Sequence, residues 1–310
     1  MKIITLTLNP AFDIHCDIPS FAPYHENLAK IISHDAGGKG VNISRALTVN
    51  GVENLAFVVL GDENGDSFAK ALSDDGMTYS ALTVKGRIRE NITIHTEGAD
   101  ETRISFEGFK TDEGLLDKTL DVLCRESLSD TYVTFTGRVP SGISMDAVKS
   151  FLRALEDKGA RIVIDSRSFA LDDLVACKPW LIKPNQEEIS VYLGRQIESF
   201  EDALAGAYEL HGKGIENVMI SLGSKGALLV CGSGAYVAKP PKIDAVSTIG
   251  AGDSSIGGFL AAAVEGEGAD GMLRRAVSYG TSACMTEGTK PPRKEDVDSV
   301  FARVTVEKIK

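Results

Sequence analysis

Apolar positions along this chain recur in two alternating rhythms. The segments "IITLTLN" (3–9), "NLAFVVLG" (54–61), "TYVTFTG" (131–137), "ARIVIDS" (160–166), "WLIKPN" (180–185) and "NVMISLG" (217–223) are short, nearly continuous apolar runs rich in Val, Ile and Leu. Between them, "GVNISRALTVNG" (40–51), "GDSFAKALSDDG" (65–76), "SMDAVKSFLRALEDKG" (144–159) and "FEDALAGAYELHGKG" (200–214) repeat an apolar residue every three to four positions. In the first of these, Ile43, Ala46 and Leu47 share one face and Gly51 is the expected stop. Two-sided apolar strands separated by amphipathic helices predict an α/β fold, with a parallel sheet covered on both faces. Ligands of such sheets bind outside the carboxyl ends of the strands.

Two regions break the rhythm. Residues 14–35 read as two short strands with a Pro-containing connection, and residues 87–108 as a β-hairpin turning near Gly98–Asp100. Neither has room inside a doubly wound sheet. Both are read as a small β-sheet lid over one end of a single domain spanning 1–310.

Charge and composition narrow the partners. Of 310 residues, 33 are Lys or Arg and 44 are Asp or Glu, a net charge of −11. Nucleic acid is a poor partner for such a chain, because phosphate neutralisation needs concentrated cations. A small anion held by a local cluster remains open. The five cysteines are scattered without a CxxC pair, and the five histidines lack metal-ligand spacing. The longest apolar run, near "FLAAAV" (259–264), is too short to span a bilayer. The first residues read as a strand rather than a secretory signal. The expectation is a cytoplasmic protein with no membrane partner.

Four motifs bear on chemistry. In "STIGAGDSSIGG" (247–258), Asp253 begins a helix whose Ile256, Phe259, Leu260, Ala263 and Val264 lie on one face. A lone Asp there reads as an N-cap. Gly250 and Gly252, with Ala251 between them, change that reading, since they let backbone amides converge on an anion at a helix N-terminus. A carboxylate beside such a cradle can take the proton of an attacking hydroxyl. In "DAGGKGVNISRAL" (35–47), Gly37, Gly38 and Gly40 surround Lys39 without the spacing of a Walker loop. Lys39 and Asn42 could then meet a phosphate or sugar oxygen, with Asp13 at the end of the first strand accepting sugar hydroxyls. In "KPNQEEI" (183–189), Asn185 and Glu188 share a helical face, and read either as oxygen ligands for hydrated Mg²⁺ or as a capped helix start. "SLGSKG" (221–226) reads either as a loop beside a nucleotide or as a hairpin turn into "ALLVC".

Taken in order, "TLNPAFD", "AGGKGVNISRAL", "IRENI", "TGRVPSG", "IKPNQEE", "ISLGSKGAL" and "STIGAGDSSIGGF" resemble the ribokinase-like sugar kinases of the phosphofructokinase-B branch over nearly the whole chain. The resemblance implies a three-layer α/β/α fold with a mostly parallel central sheet and a small β-sheet lid. It implies transfer of phosphate from ATP, with Mg²⁺, to a sugar or sugar phosphate. It casts Asp253 as the base and Gly250, Ala251 and Gly252 as the anion hole. It places Lys183, Asn185, Ser221, Gly223, Lys225 and Gly226 at the nucleotide, and Glu188 at the metal through water. Asp13, Gly38, Lys39 and Asn42 would hold the sugar, and Arg89 the substrate phosphate. Arg138 stands where many members carry Ser, and is read as a second phosphate ligand in preference to a surface replacement. The lid implies a homodimer.

Within the branch, "HENLAK", "KPWLIKPN" and "VAKPPKIDAVSTIGAGDS" most resemble 1-phosphofructokinases, which implies fructose 1-phosphate as acceptor. Tagatose-6-phosphate and fructose-6-phosphate kinases of the same branch are the alternatives. A fructofuranose ring carries two similar CH₂O arms, so one pocket can hold the phosphate on either. Outside the branch, a dehydrogenase would need GxGxxG where this chain has "NPAFD". A catalytically silent sugar-phosphate sensor is disfavoured by the intact Asp253 and its glycines.

Overall fold

The computed structural model describes residues 2–98, 101–125 and 127–309. In chain order the elements begin with β1 (Lys2–Thr7), β2 (Ala11–Asp17), β3 (Lys30–Gly37), α1 (Lys39–Val49), β4 (Leu55–Gly61), α2 (Gly65–Asp74), β5 (Tyr79–Val84), β6 (Arg89–His95) and β7 (Thr102–Ser105). There follow α3 (Gly114–Leu123), β8 (Thr131–Thr136), α4 (Met145–Glu156), β9 (Ala160–Asp165), α5 (Leu171–Cys177), β10 (Leu181–Ile182), α6 (Gln186–Leu193), α7 (Phe200–Gly212) and β11 (Asn217–Ser221). The chain closes with β12 (Ala227–Cys231), β13 (Gly234–Lys239), α8 (Ala251–Val264), α9 (Ala269–Ala283), α10 (Lys294–Phe301) and β14 (Thr305–Lys308).

Among the described residues, ten strands form the large sheet in the order β14-β13-β12-β11-β10-β9-β8-β1-β4-β5. From β11 to β5 every pairing is parallel, while β12, β13 and β14 add an antiparallel edge. Strand alternation divides the core in two. Ile3, Tyr132, Val163, Met219 and Leu229 face one side and pack with Ile43 and Leu47 of α1, Phe259 and Leu260 of α8, and Leu273 of α9. Ile4, Val133, Ile164, Val218 and Leu228 face the other, against Phe68 of α2, Leu152 of α4 and Leu210 of α7. A fully buried Phe or Leu in either layer contributes roughly 1.5–3 kcal/mol. This is the ribokinase-like three-layer arrangement, and it brings the N-termini of α1 and α8 to the carboxyl ends of the central strands.

β2, β3, β6 and β7 form a separate small sheet in the order β3-β2-β6-β7, with β2 and β6 parallel. It starts at Ala11, earlier than the sequence suggests. Asp13 therefore belongs to this sheet and not to the end of β1. Asn9 and Pro10 end the first strand, because Pro has no N–H to continue the ladder. Of the hairpin turn expected at Gly98–Asp100, Ala99 and Asp100 lie outside the described residues. Among the described residues, no helix is long and apolar enough to cross a membrane.

Candidate active site

α8 starts at Ala251, with Gly250 as its N-cap in a left-handed conformation. Asp253 is the third helical residue, in the first turn, and makes no cap hydrogen bond, so the N-cap reading fails. The first-turn amides lack intrahelical acceptors; that of Ala251 makes only a long contact of 3.4 Å to the Thr248 carbonyl, so the helix start can receive an anion. Asp253 is 8% exposed and accepts a hydrogen bond from Asn42 Nδ2 at 2.9 Å. Burial, reinforced by the charge of Asp165, pushes its carboxyl up to about 6, against the pull of Lys39, Asn42 and Lys183.

α1 supplies the facing groups. Gly38, its N-cap, has φ of +116°, and a Cβ there would lie 2.7 Å from Thr7 Cγ2. Lys39, the first helical residue, donates to Asp165 Oδ2 at 2.8 Å. Burial disfavours the Lys39 charge, but the carboxylates of Asp165 and Asp253 overcome it and hold the ammonium above its ordinary range. Burial likewise opposes the Asp165 anion, yet Lys183 and Lys39 hold its carboxyl below the usual range. Lys183 follows β10 and is buried, with Nζ 3.0 Å from where a Cβ on Gly252 would lie. Asp253, Asp165 and Lys183, all buried, thus form one nearly self-neutralising cluster with the half-buried Lys39 and Asn42. Asp165, at the end of "ARIVID", belongs to it although the sequence reading passed over it. An acid ending a parallel strand was the available signal.

A second cluster lies on the small sheet. Asp13 Oδ1 accepts from Asn91 Nδ2 at 2.9 Å and from Arg103 at 3.2 Å. Gly37 is needed beside it, because a Cβ there would fall 2.2 Å from Asp13 Oδ2. Arg89 opens β6; its Nη1 donates to Asn91 Oδ1 and the Phe106 carbonyl at 3.3 Å, while its buried Nε has no hydrogen-bond partner among the described residues. Burial pushes the Arg89 guanidinium below its ordinary value, and the charges of Arg138 and Arg103 push the same way while Asp13 opposes them. Arg138 is exposed in the loop after β8. Asn9, whose Oδ1 is also buried without a partner among the described residues, lies close by, against Gly108. Sequence reasoning named Arg89, Arg138 and Asp13 but missed Arg103, Asn91 and Asn9.

A cavity of about 860 Å³ adjoins the first cluster. Lys183, Asn185, Ser221, Gly223 and Gly226 line it together with Ala251 and Gly252 of α8. α9 adds Ala276, Val277 and Gly280 as an apolar wall that was not foreseen. Gly226 has φ of +98°, and a Cβ there would collide with the Ala238 carbonyl at 1.9 Å. The loop 221–226 is indeed a hairpin turn, from β11 into antiparallel β12, and lines the cavity as well. Lys225 is the exception. It lines a neighbouring cleft with Phe200, Leu222 and Val237 instead.

Asn185 caps α6, accepting from the Glu188 amide at 2.8 Å, while Glu188 accepts from the Asn185 amide at 3.1 Å and from Arg167 at 3.1 Å. The capped-helix reading of this motif is therefore correct. Glu188 also shares a small cavity with Asp165 and Lys183. Among the described residues no three His, Cys, Asp or Glu side chains converge on a metal position. Two carboxylates with free lone pairs suit a cation that keeps most of its waters and is carried by phosphate oxygens.

A helix-start anion cradle, a buried acid and an adjoining large cavity at the strand ends are the parts of a phosphotransferase. The pfkB family carbohydrate kinase description matches residues 7–296, and this chain belongs to that family. It is an ATP-dependent sugar kinase. It is 32% identical to the 1-phosphofructokinase of Escherichia coli (strain K12) over 310 residues, covering 99% of this chain and 98% of that protein. It is 28% identical to the ATP-dependent 6-phosphofructokinase isozyme 2 of the same strain, covering 97% and 98%. The crystal structure of phosphofructokinase-2 from Escherichia coli in complex with substrates and products superposes with a TM-score of 0.91 at 26% identity, covering 98% of this chain and 99% of that one.

Proposed function

We propose that this kinase phosphorylates fructose 1-phosphate to fructose 1,6-bisphosphate. The polarity of the site carries the sugar-phosphate acceptor, and the resemblance of "HENLAK", "KPWLIKPN" and "VAKPPKIDAVSTIGAGDS" to 1-phosphofructokinases supports the choice of the 1-phosphate. A buried carboxylate in an anion cradle stands at one end and an arginine cluster at the other, with the Gly37–Asn42 stretch between them. A sugar phosphate spans such a site in one sense only. Its phosphate lies with Arg89 and Arg138, its ring against Gly38, Asp13 and Asn42, and its free primary hydroxyl at Asp253.

ATP occupies the large cavity, with its phosphates toward Gly250, Ala251 and Gly252. Asp253 then accepts the hydroxyl proton as that oxygen bonds the γ-phosphorus. The bond from this phosphorus to the bridging oxygen breaks, and ADP leaves with the electron pair. Backbone amides and the Lys39 and Lys183 ammonium groups face the charge that spreads over the phosphoryl oxygens. Glu188 would hold Mg²⁺ through water, and the ion would supply further positive charge to the phosphates. The lid excludes water and limits ATP hydrolysis.

The experiment is a panel of fructose 1-phosphate, fructose 6-phosphate and tagatose 6-phosphate with ATP, read as ADP release. The highest kcat/KM is expected for fructose 1-phosphate. Preference for a 6-phosphate would replace the acceptor but keep the site. The ring offers two similar arms, and the 6-phosphofructokinase relative makes that the second reading. No turnover with any of them would mark a sensor on a kinase scaffold.

The lid also carries the proposed self-association. Leu28, Ile31 and Ile32 are 90%, 63% and 52% exposed on and beside β3. An apolar group of this kind on an edge strand calls for cover, and a second copy would supply it. Sedimentation of the purified protein should give a dimer, and a monomer at micromolar concentration would contradict this assignment.

A further inference from the structure

Arg103 pairs with Asp13 and has no part in the proposed phosphate transfer. It stands on β7, the outer strand of the small sheet, opposite Thr93. Its guanidinium is 3.2 Å from the Asp13 carboxylate, and its side chain is 47% exposed. Arg89 feels the charges of Arg138 and Arg103 as well as that of Asp13, so three guanidinium groups gather near the start of β6. With Asp35 the cross-strand neighbour of Asp13, the three arginines outnumber these carboxylates by one, and among the described residues the buried Arg89 Nε has no partner, although its Nη1 donates to Asn91 Oδ1 and the Phe106 carbonyl at 3.3 Å. Like charges gathered this closely repel one another unless an anion joins them. A guanidinium presents a planar fork of donors that matches phosphate geometry, and weak hydration makes it the side chain suited to this task.

We infer that Arg103 is a third ligand of the substrate phosphate, delivered by the β6–β7 hairpin. When the sugar phosphate binds, the Arg103 fork leaves Asp13 for the phosphate oxygens, and Asp13 is freed for the sugar hydroxyls. One side chain thereby exchanges an internal partner for the substrate and fastens the hairpin over it. The inference rests on the sugar-phosphate reading of the site.

The test is calorimetric titration of fructose 1-phosphate, without ATP, into the wild type, Arg103→Ala and Arg103→Lys over a range of salt concentrations. Arg103→Ala should weaken binding ~10-fold or more, the scale of one charged hydrogen bond. It should also flatten the salt dependence, since one phosphate contact is gone. Arg103→Lys should recover part of both effects, and affinity for a non-hydrolysable ATP analogue should not move. Unchanged affinity in Arg103→Ala would overturn the inference. So would weakened affinity with an unchanged salt dependence, which would mean that Arg103 acts only by anchoring Asp13. A wild type that takes the nucleotide analogue but none of the three sugar phosphates would overturn the sugar-phosphate reading itself, and this inference with it.

Discussion

The two charged clusters of this kinase are built on opposite plans. Around Asp253, two carboxylates and two lysines neutralise one another in a buried setting, and Asp253 is pushed up to about 6. Around Asp13, on a partly exposed sheet, Arg103 pairs with the acid while Arg89 and Arg138 add two more guanidinium charges nearby. The first arrangement makes a proton easy to move, because its acid is poised near the pH of use. The second holds a fixed charge, since guanidinium groups do not give up protons in this range. A kinase acting on a sugar that already bears a phosphate needs both, at the two ends of its acceptor.

The largest effect is expected at the first pole. Asp253→Asn should lower kcat at least ~10²-fold while leaving both KM values nearly unchanged. The same variant should melt at a higher temperature at pH 8. A carboxyl whose folded pKa is raised favours folding while protonated, and that contribution is lost as pH rises from its unfolded value through about 6. The gain should shrink toward pH 4, where the wild type is protonated too. Near-normal turnover would erase the distinction between the poles.

The next effect belongs to the second pole. Arg89→Ala should raise the KM for the sugar phosphate by about 10–100-fold, the range of a charge-assisted hydrogen bond. The KM for ATP should stay within about threefold, since Arg89 lies on the small sheet and not on the nucleotide cavity. Equal rises in both would deny it a phosphate role. The smallest effect concerns Lys225→Ala, where the KM for ATP should change by less than about threefold, because Lys225 lines the neighbouring cleft. A larger change would restore it to the nucleotide site.

Periodicity alone made most of the parallel strands and the helices α1, α2, α4 and α7 legible, because each buries one face against a sheet. The antiparallel edge was harder. β13 and β14 pair through backbone groups, and β14 is mostly exposed, so no apolar rhythm announces it. β10 shrinks to two paired residues, because Pro184 cannot donate to a neighbour. At the site, glycines marked the places where backbone and ligand approach each other. Arg103 and Asn91 were hidden because strand residues look alike until the register places them. Asp13 faces Asn91 across β2 and β6, a pairing between strands far apart in the chain. Asp165 was hidden for a related reason, since its partners Lys39 and Lys183 come from two other segments.

The central claim is that Asp253 is the base, and the pH dependence of kcat tests it most directly. For the wild type, kcat should fall about tenfold per pH unit below about 6, as a single proton blocks the carboxylate. Asp165→Asn removes the neighbouring negative charge that helps raise Asp253, so the same limb should move to lower pH. A wild-type rate that stays flat between pH 5 and 8, with substrates saturating and the fold intact, would contradict the account.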